Sequence, residues 1–79
     1  MSARLVFLGR LEDLAGVPEM AVAAGPLEAV FAQLPRELAV ALLEPNVRLA
    51  HNGHLLAESG GIVLEAGDEL AFLPPVSGG

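Results

Sequence analysis

Hydrophobic residues in the first third of the chain occur in short runs divided by glycine and charged residues, a pattern typical of short strands and turns. Residues 3–8 are apolar at both alternating sets of positions, which predicts an interior strand of a sheet covered on both faces. Residues 19–23 alternate and predict a second strand. We expect these strands to pair as a hairpin, with residues 11–17 as the connection.

The spacing of apolar residues becomes helical in the middle of the chain. Proline suits the first position of a helix, and Gly25-Pro26 precedes a stripe at helical spacing. The stripe consists of Leu27, Val30, Phe31 and Leu34. Pro35 interrupts the pattern, and residues 36–44 predict a second, short helix that Pro45 ends. The main helix is expected to lay its stripe on the sheet.

A tight turn is predicted at Asn52-Gly53. This pair lies between the apolar runs 47–50 and 55–57, and Asn-Gly between apolar runs is a strong signal for a hairpin.

The last strand is predicted at residues 69–73. It follows a loop around Gly60-Gly61, a short apolar run at residues 62–64 and a turn at residues 66–68. The order is therefore strand, strand, helix, short helix, strand, short strand, strand. One main helix grasped by a mixed sheet fits this order, so the predicted fold class is α+β.

Composition limits the chemistry that the chain can perform. Its 79 residues suffice for one domain, and they include no cysteine and no lysine. Disulfides, thiolate metal sites, cysteine nucleophiles and lysine Schiff bases are therefore excluded. Four arginines against ten carboxylates give a net charge of -6, which disfavours nucleic acid and membrane surfaces as partners. No apolar stretch is long enough to span a bilayer, so a cytoplasmic location is expected.

The hydrophobic share of the chain is 53%, which is high for a domain whose small size exposes much of its surface. It predicts an apolar docking surface for a partner, or else an exterior that is merely rich in alanine.

The sequence from Pro74 onward predicts a tail that leaves the domain. Pro74 and Pro75 donate no amide hydrogen, so the last strand cannot go on pairing. Val76-Ser77-Gly78-Gly79 would reach roughly 13 Å when extended, and its two glycines allow it to thread a narrow channel. We expect a domain at residues 1–75 and a protruding, flexible tail at 76–79, with the terminal carboxylate of Gly79 as the working group. The alternative is a frayed terminus without function.

Residues 64–79 carry the most specific pattern of the chain: a Gly-Asp-Glu turn, an apolar strand, Pro-Pro-Val and a diglycine, in the sequence LEAGDELAFLPPVSGG. This pattern resembles the ending of the ubiquitin-like β-grasp sulfur carriers, and most closely that of the small subunit of molybdopterin synthase. The apolar residues 5–8 and Asn52-Gly53 are also similar to that family. The resemblance implies a ubiquitin-like β-grasp fold.

The resemblance further implies a carrier that is not catalytic on its own and binds no cofactor. An E1-like activating enzyme would use ATP to adenylate the carboxylate of Gly79, and a sulfur donor would convert it to a thiocarboxylate. The large subunit of molybdopterin synthase would supply the active site, where this sulfur attacks a pterin precursor in molybdenum cofactor biosynthesis. A complex with two copies of each subunit is expected.

Aromatic and proline side chains near the tail are candidates for partner contact. Phe72, Pro74 and Pro75 are predicted to bind a partner, whereas Phe7 and Phe31 are expected inside the core.

Charged residues give weaker indications. His51 and His54 flank Asn52-Gly53, so we expect them to cap a turn in solvent and predict no metal site. An acidic cluster would steer the carrier onto basic partners or form a solvated turn. It comprises Glu65, Asp68 and Glu69. Arg10 and Arg48 would pair with carboxylates of a partner or remain solvated.

Three functions remain open from the sequence. The first is the molybdopterin synthase carrier, which Pro74-Pro75-Val76 favours. The second is a sulfur carrier for thiamine thiazole, cysteine or transfer RNA thiolation. The third is a ubiquitin-like protein modifier or an interaction domain, in which Gly79 forms an amide with a lysine of another protein or remains unmodified.

Overall fold

The computed structural model describes residues 1–56 and 61–75, which contain seven strands and three helices. The strands are β1 (Ser2–Phe7), β2 (Glu19–Ala23), β3 (Gly25–Pro26), β4 (Arg48–His51), β5 (His54–Leu55), β6 (Val63–Leu64) and β7 (Glu69–Leu73). The helices are α1 (Arg10–Ala15), α2 (Leu27–Phe31) and α3 (Arg36–Leu42).

Five strands form a mixed sheet in the order β2-β1-β7-β4-β5. β7 lies at its centre, parallel to β1 and antiparallel to β4, while β3 and β6 form a separate two-stranded sheet. Parallel strands require a crossover, and the helical segments between β1 and β7 provide it. The arrangement is the α+β mixed sheet that the sequence predicts.

The helices pack on one face of the large sheet and enclose the core. Phe72 of β7 stacks on Phe7 of β1 at a ring-centroid distance of 5.8 Å and lies 6.0 Å from Phe31 of α2. Leu11, Val30 and the α3 residues Leu38 and Leu42 belong to the same buried cluster. Phe7 is buried as predicted, whereas Phe31 is only partly buried at the edge of this cluster.

In the described part of the chain, no helix covers the other face of the sheet, which corrects the prediction for the first strand. β1 is an interior strand, as expected, yet its residues alternate between buried and accessible. Leu5 and Phe7 are buried, while Arg4 on the opposite face is exposed and Val6 is half-buried. Apolar residues on both faces of a strand therefore do not require that both faces of the sheet be covered.

A helix occupies the segment that was predicted to be a plain connection. β1 and β2 pair antiparallel, as expected, but α1 lies between them. Leu11 is buried against the core, and Gly16 ends the helix with φ 82° and an N–H that donates to the carbonyl of Glu12 at 2.8 Å. Such a left-handed glycine is a common helix end.

The relative lengths of the other two helices are reversed from the prediction. α2 stops at Phe31, and the amides of Gln33 and Leu34 donate to carbonyls only three residues back, which tightens the last turn. Pro35 restricts the residue before it and becomes the N-cap of α3, the longer of the two helices.

The turn at Asn52-Gly53 is confirmed. Both residues have positive φ, 51° and 84°, as a two-residue turn between β4 and β5 requires. The last strand is also confirmed, with Gly67 at φ 86° in the turn before it. The predicted strand at residues 55–57 and the loop at Gly60-Gly61 lie partly outside the described residues.

Across the described ranges, none of the helices has both the length and the apolar character needed to cross a membrane.

Candidate functional site

The central strand of the sheet leads straight into the predicted tail. β7 pairs with β1 on one side and β4 on the other, and its last residue is Leu73. Pro74 and Pro75 follow, both half-buried, and neither has an amide hydrogen with which to extend the ladder. The chain thus leaves the domain from a strand that is paired on both sides.

Pro74 packs on the corner between β1 and α1. The amide of Leu8 donates to the carbonyl of Phe72 at 3.2 Å, which carries the β1/β7 pairing one step further. Gly9 comes next, and a Cβ atom placed on it would lie 2.9 Å from Cγ of Pro74.

Two grooves meet at Pro75 and Asn46, which line both. One groove, of about 410 Å³, runs between α1 and the end of α3 and includes Arg10 and Leu14. The other, of about 640 Å³, is lined by Arg48 and by residues of β5 and β7. Within residues 1–56 and 61–75, no carboxylate lies within 4.0 Å of either arginine, whereas Arg4 pairs with Glu19 and Glu69. Arg10 and Arg48 therefore lie in the grooves on the two sides of Pro75, and their pairing with a partner stays a prediction.

The side of the large sheet that none of the described helices covers, which we call the open face, is apolar at its centre. Strand register places its central residues on one side. They are Val6, Ala50, Leu55, Ala71 and Leu73. Charged residues border them, and these are Arg4, Glu19, Arg48 and Glu69. An apolar centre with a charged rim is the anatomy of a protein–protein interface, so the open face fits the docking surface expected from composition.

Phe72 is not part of this surface. Its side chain has 0% exposure, because the register of β7 turns it to the helices and places Leu73 on the open face. The prediction that Phe72 binds a partner is therefore wrong for the folded domain. Pro74 and Pro75 are accessible enough for such contact, and their role as partner-binding residues stays a prediction.

The acidic cluster is largely engaged within the domain. Asp68 accepts hydrogen bonds from the amide of Glu65 at 2.9 Å and from Asn52 Nδ2 at 3.1 Å, and its Oδ2 lies 3.0 Å from His51 Nε2. These partners, above all the Glu65 amide, lower the pKa of Asp68 to about 2. Glu69 binds Arg4 and raises the pKa of that guanidinium.

These contacts tie the hairpin of β4 and β5 to the turn before β7. Asn52 also accepts from the amide of Glu69 at 2.8 Å. His51 is thus a partner of Asp68, while His54 is exposed. In the described part of the chain, no three histidine or acidic side chains converge as a metal site requires.

Two features of the region around the tail were not predicted from the sequence: the role of Gly9 and the position of the open face. Gly9 carried a signal, since it directly follows the strand predicted at residues 3–8, and a glycine there indicates a special backbone position. The open face was also readable in part from the alternation of β7, but which of its two faces is covered depends on distant helices. The predicted tail residues Val76, Ser77, Gly78 and Gly79 lie outside the described residues.

The sequence profile of one protein family matches residues 5–79, the ThiS family. The chain belongs to the ThiS family. No curated protein matches it.

Solved structures similar to this ThiS-family chain share its whole fold. Small archaeal modifier protein 1 (SAMP1) from Haloferax volcanii is 26% identical, with a TM-score of 0.71 over 100% of both chains. SAMP1 from Methanosarcina acetivorans is 23% identical, with a TM-score of 0.74 over 100% of this chain and 99% of that one. Subunit 1 in the complex of subunits 1 and 2 of molybdopterin-converting factor from Helicobacter pylori is similar too, at 23% identity and a TM-score of 0.66 over 100% of both chains. These likenesses confirm the ubiquitin-like β-grasp fold.

Proposed function

We propose that the chain is a sulfur carrier, and specifically the small, non-catalytic subunit of molybdopterin synthase in molybdenum cofactor biosynthesis. The observation that carries the sulfur-carrier function is the family match, which runs from residue 5 through Gly79 and so spans both the folded domain and the diglycine. Pro74-Pro75-Val76 and the similarity to subunit 1 of the Helicobacter pylori complex favour molybdopterin synthase as the pathway. The geometry supports it, because the central strand leads directly into Pro74 and Pro75.

The reactive group is the carboxylate of Gly79. In an E1-like activating enzyme it attacks the α-phosphorus of ATP, and pyrophosphate leaves as the acyl adenylate forms. A carboxylate is a poor electrophile, whereas the adenylate has AMP as its leaving group. Hydrosulfide from a sulfur donor attacks the acyl carbon, expels AMP and leaves a thiocarboxylate. The thiocarboxylate sulfur then adds to a carbon of the pterin precursor, and water cleaves the resulting thioester, which leaves the sulfur on the pterin and returns the carboxylate of Gly79. These ATP-dependent steps take place in the cytoplasm.

The large subunit docks on the open face and receives the tail. Apolar residues at the centre of this face continue through Leu73 to Pro74 and Pro75, so one surface holds the partner and directs the tail. From Pro75, the tail has a reach of roughly 13 Å into the partner. The Helicobacter pylori complex of subunits 1 and 2, which has the same fold in subunit 1, supports this pairing. We expect two copies of each subunit in the assembly.

A second candidate is a protein modifier, which the 26% identity to Haloferax volcanii SAMP1 favours. In that case Gly79 forms an amide with a lysine of another protein. Since the chain has no lysine, it cannot form chains of itself through side-chain amines. A sulfur carrier for another pathway would share the adenylation and sulfur steps but have a different acceptor.

Two variants test the proposal in cells that produce the large subunit. Deleting Gly79 should leave the fold intact and abolish molybdopterin formation, because it removes the carboxylate from its working position. Gly79→Ala is the control that keeps a terminal carboxylate at the same chain length. Full synthase activity from the deletion variant would refute the proposal.

Size-exclusion chromatography with the purified large subunit tests the docking separately. Co-elution supports the open face as an interface, and two separate peaks would contradict it. Lysine-linked conjugates in lysate, without molybdopterin formation, would favour the modifier.

A further inference from the structure

Pro74, the first residue after the central strand, packs directly on the backbone of Gly9. Gly9 has φ 56° and ψ −136°, a conformation that favours glycine. A Cβ atom placed there would lie 2.9 Å from Cγ and 3.6 Å from Cδ of Pro74. Among the described glycines, the next closest approach is 3.9 Å, at Gly25. The tight contact is therefore confined to the point where the chain leaves the sheet.

Both sides of this contact are held by hydrogen bonds. The carbonyl of Gly9 accepts from the amide of Glu12 at 3.1 Å, which fixes it to the first turn of α1. On the other side, the carbonyl of Phe72 accepts from Leu8 at 3.2 Å. The ring of Pro74 is closed on its own backbone nitrogen and cannot rotate away as a free side chain would. A methyl group at residue 9 must therefore displace the ring of Pro74 or the backbone around residue 9.

We infer that Gly9 is a positioning residue for the sulfur-transfer reaction: it leaves the space in which Pro74 sits, and so sets the point from which residues 76–79 depart. The inference rests on the proposed function. Gly9 does not touch the reacting atoms and acts through Pro74. The reacting carboxylate is only four residues beyond Pro75, so a shift at the origin of the tail reaches it when the activating enzyme holds the tail extended. A displacement of about 1 Å in a reacting group can cost on the order of 100-fold in rate.

Gly9→Ala is the variant that introduces the clash, and Gly16→Ala is its matched control. Gly16 has φ 82° and nothing within 4 Å of its Cβ position, so alanine there is strained without reaching Pro74. Pro74→Ala removes both ring atoms that lie near Gly9. The double variant Gly9→Ala/Pro74→Ala combines the added methyl group with the loss of the proline ring, so the clash at residue 9 is removed.

The readout is ATP–pyrophosphate exchange by the cognate E1-like enzyme, with kcat and KM for the carrier measured separately. Gly9→Ala should lower kcat on the order of 10-fold with a smaller change in KM, because residue 9 and its contact lie outside the centre of the open face. Gly16→Ala should leave kcat unchanged. The double variant should show the kcat of Pro74→Ala alone, since the two residues act through one contact. If the double variant instead shows the product of the two single losses, Gly9 does not act through Pro74 and the inference is overturned.

Nuclear Overhauser contacts between Gly9 Hα and Pro74 Hγ test the geometry without any activity. Their presence in the wild-type chain supports the contact, and their absence overturns it. If Gly9→Ala does not fold, Pro74→Ala decides: a lowered kcat at an unchanged KM and melting temperature supports the inference, and an unchanged kcat or a change confined to KM overturns it. A wild-type chain that gives no exchange with a competent enzyme contradicts the proposed function, whereas wild-type exchange with equal rates in all variants contradicts only the role of Gly9.

Discussion

On β7, Leu70 and Phe72 have no exposed surface, whereas their neighbours Ala71 and Leu73 are only half-buried. The four residues belong to one strand, and their alternation divides the sheet into a packed face under the helices and the open face. The packed face has the large aromatic and aliphatic side chains, whereas the open face has the small side chains of Ala50 and Ala71 together with Val6 and Leu73. The packed face therefore determines the fold, while the open face is available for a partner.

The largest expected effect comes from truncating the packed face. Phe72→Ala should lower the free energy of unfolding by about 3–5 kcal/mol, because it opens a cavity beside Phe7 and Phe31. Urea denaturation measures this change. Leu73→Ala, the next residue on the open face, is the control and should cost about 1 kcal/mol. Equal losses for the two variants would contradict the division between the faces.

A charge at the centre of the open face should affect binding far more than folding. Ala71→Arg should weaken the complex with the large subunit on the order of 10-fold or more, because a buried, unpaired charge disfavours an interface. Isothermal titration calorimetry measures this affinity. Ala21→Arg places the same side chain on the same face at the outer strand β2 and should have a smaller effect. A larger loss of affinity for Ala21→Arg would indicate that the interface lies nearer to β2 than to the centre of the open face.

Gln33 binds the backbone of β2 and so covers part of the outer edge of the sheet. Its side-chain Oε1 accepts from the amide of Ala23 at 2.8 Å, and its Nε2 donates to the Ala23 carbonyl at 3.2 Å. Gln33→Ala should cost about 0.5–1 kcal/mol and expose this edge to pairing with other chains. Denaturation and light scattering measure the two effects. Unchanged stability and an unchanged monomer population would show that Gln33 does not protect the edge.

The smallest expected effect concerns acid, at the polar margin where Asp68 binds His51 and Asn52. The folded pKa of Asp68 is about 2, below its ordinary value of 3.8, so the folded state favours the ionised carboxylate. Its stabilisation is present above the ordinary pKa and is lost as pH falls toward 2. Asp68→Asn should be less stable at neutral pH and lose less stability on acidification. An identical pH dependence in the two chains would assign acid sensitivity to other groups.

Local signals in the sequence predicted the elements that depend on local chemistry. Asn52-Gly53 has the positive φ angles of its turn, and residues 69–73 form the last strand as expected. The helix α1 was missed because it is only six residues long and its two acidic residues and following glycine resemble a turn. Gly16 as a helix end was the overlooked signal.

Features that depend on packing between distant parts of the chain could not be predicted from the sequence. The alternation of β7 shows that Phe72 and Leu73 face opposite ways, but only the position of the helices determines which of them is buried. The same holds for Pro74, whose contact with Gly9 joins residues far apart in the chain. The tail residues were predicted from glycine and proline chemistry alone, and their role stays a prediction.

The central claim is that the carboxylate of Gly79 becomes a thiocarboxylate. The most direct test is the intact mass of the chain after incubation with its activating enzyme, ATP and a sulfide source. We predict a mass increase that corresponds to one oxygen replaced by sulfur, and its absence from the chain that lacks Gly79. An unchanged mass, with an activating enzyme that is competent on a known carrier, would contradict the account.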